Sequence, residues 1–149
     1  MFIETDLETV LTHLNKLTAE TKPEWGKMSA QRMVEHLTDT LRIATGETPQ
    51  ELMIPEDKVE RMVAFLYNDK PMAREMAVPF AKEGTPQRNE ELELAIDEFV
   101  EVYLDFQELF AQNPELKTVH AYYGPLNYEQ WDLLNRKHLT HHFTQFGLL

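Results

Sequence analysis

The sequence contains no cysteine and a single serine. The first absence excludes disulfides, zinc–thiolate sites and a thiol nucleophile carried by the chain itself. The serine, Ser29, stands in Met28-Ser29-Ala30-Gln31-Arg32-Met33. There a helix N-cap explains it better than a nucleophile does. Glycine is scarce, with 5 in 149 residues, and no Gly-rich phosphate loop occurs. No run of about 18 apolar residues is present, so no membrane span is expected. Basic residues are also few: 14 Lys+Arg against 26 Asp+Glu give a formal charge of −12. A phosphate backbone is bound through a basic stripe that releases counterions, so nucleic acid is not an expected partner. The first residues carry acids where a signal peptide is basic, and a cytoplasmic location is the expectation.

What remains is rich in Leu, Glu, Met and Ala, which favour helix, in a length that suits one domain over 1–149. Apolar residues recur at helical spacing over about residues 5–20, 29–46, 55–66, 89–112 and from Asn127 towards the C-terminus. Ser29 and Asn127-Tyr128-Glu129-Gln130 provide N-terminal caps, the second resembling a capping box, and Asn89 is a third candidate cap. Strand signals are weak. The expected class is all-α, a four-helix bundle with one or two short extra helices. Between Tyr67 and Arg88 lies an irregular connector with several prolines and the apolar residues Met72, Met76, Val78 and Phe80. Long loops of this kind are uncommon and often functional, so this one is expected to fold over the domain.

Three histidines carry the chemistry. A helix advances about 100° per residue, so His138 and His142 lie about 40° apart on one face. Imidazoles one turn apart can share one metal ion. His36 falls on or beside the apolar stripe of the second helix, with Met33, Leu37 and Leu41. A third imidazole from that helix would make a three-nitrogen site with coordination positions to spare, the mark of a catalytic metal. For a lone histidine on an apolar face a hydrogen bond is the better explanation; a pair beside a third histidine shifts the balance towards metal. The pattern is not that of a zinc protease, which places Glu directly after the first His; here Leu139 stands there. His141 falls at the edge of the face, and His13 reads as a surface residue.

The stretch Trp25-Gly26-Lys27-Met28-Ser29-Ala30-Gln31-Arg32-Met33-Val34-Glu35-His36-Leu37 resembles the second-helix motif of the DinB-like superfamily. Tyr123-Gly124-Pro125-Leu126, Glu129-Gln130-Trp131 and His138 to Gly147 resemble the end motif of an uncharacterised, divergent branch of it. Phe143-Thr144 replaces the Arg-Gly pair of the commoner ending. The resemblance implies a four-helix bundle, often a homodimer, holding one divalent ion of zinc, nickel or iron. It places the ligands at His36, His138 and His142. It further implies a small-molecule substrate, as in relatives that transfer a low-molecular-weight thiol. Lacking cysteine, this chain would take that thiol as a cosubstrate. The alternative is a non-enzymatic module in which the metal only pins helices together. Around the triad, Gln145 and Asp39 are expected to orient ligands. Trp25, Arg32, Tyr123, His141 and the stretch from Met72 to Phe80 are expected to frame the pocket. For Arg32, holding a ligand carboxylate and pairing with a neighbouring acid such as Glu35 or Glu24 are about equally expected.

Overall fold

The computed structural model describes residues 1–74 and 85–149. The elements run α1 (Leu7–Leu14), α2 (Ala30–Ala44), a 3-10 turn (Glu56–Lys58) leading into α3 (Val59–Tyr67), α4 (Leu92–Gln112), β1 (Thr118–His120), β2 (Gly124–Leu126) and α5 (Tyr128–Gln145). The described residues are thus mostly helical, with five α-helices and a small antiparallel sheet. None of the described helices is long and apolar enough to cross a membrane.

Local sequence explains most of the boundaries. Helix N-termini leave N–H groups unpaired, and α1, α2 and α5 meet them with side chains. Asp6 accepts from Thr9 N at 2.8 Å, and Ser29 Oγ accepts from Arg32 N at 3.1 Å. Asn127 and Gln130 form a reciprocal capping box. After Thr45, the C-cap of α2, Gly46 takes φ 82°, a left-handed conformation that ends helices at little cost to glycine.

Helix α2 lies at the centre, against α4, α5 and β1. Its core side chains, Met33, Val34, Leu37 and Leu41, meet Phe99, Tyr103, Phe106 and Phe110 of α4 and Trp131, Leu134 and Phe143 of α5. Helix α3 packs on α5. Lys137 of α5 is buried, with Nζ over the Phe65 ring at 3.9 Å and donating to Asn68 Oδ1 and to the Lys70 carbonyl. The end of α3 is thereby tied beside the C-terminal half of α5.

Three expectations need correction. The first helix ends at Leu14, not near residue 20. Helix α4 begins at Leu92 rather than at Asn89, because the backbone and side-chain N–H groups of Asn89 both donate to Glu35 Oε2 at 2.9 Å. The hairpin β1–β2, with Thr118 opposite Leu126 and His120 opposite Gly124, was not foreseen. It is held by Thr118 Oγ1, which donates to the Ala44 carbonyl and accepts from Trp131 Nε1, both at 2.7 Å.

Candidate metal centre

Helix α2 is buried on nearly every side although it carries Gln31, Arg32, Glu35, His36, Thr38 and Thr40. Buried polar groups are costly unless paired, so each of these needs a partner. Thr38 and Thr40 donate to the carbonyls one turn back. Glu35 is fully buried and accepts from Arg88 N, Asn89 N and Asn89 Nδ2, with Gln31 Nε2 at 3.4 Å. Burial alone would raise its carboxyl pKa, but these donors hold it below the ordinary value.

His36 points towards α5. Its Nε2 is 2.9 Å from His138 Nε2, which is 3.0 Å from His142 Nε2. One ligand atom from each of the three lies within 4.8 Å of the others, and this is the grouping of metal-binding type among the described residues. Burial is the largest influence on all three rings. It lowers the pKa of His36 to about 4 and those of His138 and His142 well below the ordinary value. The neighbouring imidazoles add to the effect at His138 and His142. Neutral imidazoles with free lone pairs are the form that binds metal.

Hydrogen bonding does not account for the cluster. The Nε2 of a neutral imidazole carries one proton or one lone pair. The Nε2 of His138 therefore makes one good hydrogen bond, yet it has two nitrogen neighbours at bonding distance. A cation shared by three lone pairs satisfies all of them. With metal–nitrogen bonds of about 2.0–2.1 Å, nitrogens 2.9 and 3.0 Å apart are close enough to share one ion. The three histidines could hold a divalent ion.

Gln145 lies where it can orient the site. His142 Nδ1 is 2.8 Å from Gln145 Oε1, and Gln145 Nε2 donates to the Trp25 carbonyl at 3.0 Å. A proton on Nδ1 leaves the Nε2 lone pair of His142 for a metal, the arrangement outer partners commonly enforce. Glu24 N donates to the Gln145 carbonyl at 2.7 Å, so the loop before α2 is fastened to the end of α5. Gly26 permits this approach: with φ 80°, its absent Cβ would lie 3.1 Å from Gln145 Nε2.

Asp39 is placed differently. Its carboxylate accepts from Arg32 Nη2 at 3.0 Å and pairs with Arg88 Nη1 at 2.9 Å, so it holds arginines rather than an imidazole. Nδ1 of His36 is buried without a hydrogen-bond partner among the described residues. Arg32 is 7% exposed, bound to Asp39 and 3.7 Å from Glu35.

Trp25 and His141 meet edge to face at 5.5 Å, and the His141 ring lies 4.9 Å from that of His142. Burial lowers the pKa of His141, the nearby Arg74 charge lowers it further, and a hydrogen bond with the Met72 backbone opposes both. Arg74 rests on the Trp25 ring at 3.9 Å. The start of the connector therefore reaches the triad; residues 75–84, Met76, Val78 and Phe80 among them, lie outside the described residues. Tyr123 belongs to the hairpin, where its ring packs on His120 at 4.8 Å. His13 is not part of the triad; its Nδ1 is 3.2 Å from the Leu148 carbonyl and its ring lies against Phe143. Arg74 and Arg88 carried no signal in the sequence, because each reaches its partners from a segment without periodicity.

Over residues 3–147 the chain matches a family described as "Protein of unknown function (DUF1569)". Comparison with curated proteins and with solved structures gives no match.

Proposed function

We propose, for a chain that belongs to this family of unknown function, that it is a divalent-metal protein acting as an enzyme on a small molecule. The observation that carries this reading is the double contact of His138 Nε2, at 2.9 and 3.0 Å, with His36 and His142. One cation resolves it and one hydrogen bond does not. A divalent ion held there would supply Lewis acidity, lowering the pKa of a water or thiol that it binds. The described residues provide three imidazoles and no fourth ligand. Three protein ligands with an open position are characteristic of catalytic rather than structural sites.

The chain's own residues have separate tasks in this scheme. Gln145 fixes the tautomer of His142, and the Trp25 carbonyl fixes Gln145. Burial keeps the imidazoles neutral. Trp25, His141 and Arg74 form an aromatic, cationic margin beside the triad, suited to an organic substrate bearing a carboxylate. The thiol-transfer chemistry of the DinB-like proteins fits such a site. The thiol would come from a low-molecular-weight cosubstrate; its S–H proton would pass to solvent as the sulfur bonds to an electrophilic carbon and displaces that carbon's leaving group. The second reading, a metal-stabilised binding module, predicts tight metal without turnover.

The test has two stages. Tag-free protein is analysed for zinc, nickel and iron, and the loaded protein is then screened with small thiols and electrophiles. One ion per chain with thiol-dependent conjugation supports the enzyme. One ion without turnover favours the module, and metal-free protein that takes up no ion overturns both.

A further inference from the structure

A metal-ligating imidazole commonly donates its second N–H to an outer partner. For His142 that partner is Gln145. For His138 the hydrogen-bonding contacts among the described residues run through Nε2, to the other two imidazoles.

Behind His138 is a small cavity between α2, α4 and α5, of about 10 Å³. Leu37 and Leu41 of α2 and Phe99 and Tyr103 of α4 form its walls, and Asn135 and His138 face it from α5. Tyr103 is committed elsewhere, its hydroxyl donating to the Thr5 carbonyl. Asn135 is only 5% exposed, and its Nδ2 has no hydrogen-bond partner among the described residues. A buried amide without a partner is uncommon in a folded protein and calls for a reason. The cavity has room for about one water, and a buried water requires at least two polar partners. Asn135 and His138, one turn apart on the same helix, are two.

We propose that this cavity binds a single water, which accepts from Asn135 Nδ2 and from the Nδ1–H of His138. Asn135 is then a positioning residue. Through the water it holds His138 in the tautomer whose Nε2 lone pair faces the triad. The inference rests on the metal reading above.

Cobalt(II) is the probe, added to the metal-free full chain and followed by its visible absorption and by chelator competition. Asn135→Leu keeps the number and branching of the side-chain heavy atoms and removes the donor. It is expected to weaken cobalt about 10–100-fold and to alter the visible bands, while the melting temperature of the metal-free protein does not fall. A purely structural role would lower that temperature and leave the bands unchanged. Wild-type affinity and bands in Asn135→Leu overturn the proposal. A second measurement requires no variant: in the zinc-loaded wild type, the Nδ1 proton of His138 should show a nuclear Overhauser contact with a resident water. Its absence overturns the proposal even where Asn135→Leu fails to fold. If the wild type takes up no cobalt, the metal reading itself fails. Cobalt uptake with an indifferent Asn135→Leu overturns this proposal and leaves the metal reading standing.

Discussion

Replacing Gln145 by Leu removes two hydrogen bonds at once, one to His142 Nδ1 and one to the Trp25 carbonyl. The loss of an outer partner typically weakens metal about 10–100-fold. Competition with a chromophoric chelator should show that loss for Gln145→Leu, with one ion still bound at saturation. His36→Ala should abolish stoichiometric binding, while His13→Ala, outside the triad, should leave it intact. Full stoichiometry in His36→Ala would exclude that ligand. The convergence of His36, His138 and His142 was legible in the sequence because helical phase turns all three inward and the motif resemblance joins His36 to the other two. The proximity of Gln145 to His142 followed from the same one-turn spacing. The partners of Asp39 were not legible: Arg88 lies 49 positions on, in an aperiodic segment, and only the folded chain brings it alongside.

Among the elements, α2 is the one whose polarity and burial conflict most. Glu35 resolves the conflict by accepting N–H groups from Arg88 and Asn89, which also fixes the approach to α4. Glu35→Ala leaves those donors without an acceptor and Arg32 short of a neighbouring charge. Breaking a buried charged network from one side costs about 3–5 kcal/mol, so urea unfolding should show a loss of that size. A loss below about 1 kcal/mol, the scale of an exposed ion pair, would show the network to be solvated. The ends of α2 and the start of α5 were readable because their caps are local: Ser29, Gly46 and the Asn127–Gln130 pair act within four residues. The start of α4 was misread at Asn89, whose backbone and side-chain N–H groups are drawn to Glu35, 54 positions earlier. The hairpin was missed because its strands are three residues long, too short to show alternation, and because Thr118 owes its place to Ala44 and Trp131.

For the molecule as a whole, two buried phenols set a limit on alkaline stability. Burial raises the pKa of Tyr103 to about 12, against an opposing hydrogen bond with Thr5, and that of Tyr123 also to about 12. Both folded-state values lie above the ordinary 10, so their contribution is complete below pH 10 and is lost as pH rises through 12. Two units correspond to ~2–3 kcal/mol per fully linked group. The urea midpoint should fall between pH 10 and 12, and less steeply in Tyr103→Phe; an equal fall would show that Tyr103 titrates normally. The triad has a different consequence at this scale. His36 and His138 are 102 residues apart, in a chain that has no cysteine to cross-link it. An ion held between them closes a loop of that length, restricting the unfolded chain much as a disulfide does. Chelation should therefore act as the cutting of a staple. Amide hydrogen exchange should accelerate around residues 24–36 and 138–147, which the ion clasps, and change little in the hairpin 118–126, which Thr118 and Trp131 hold independently.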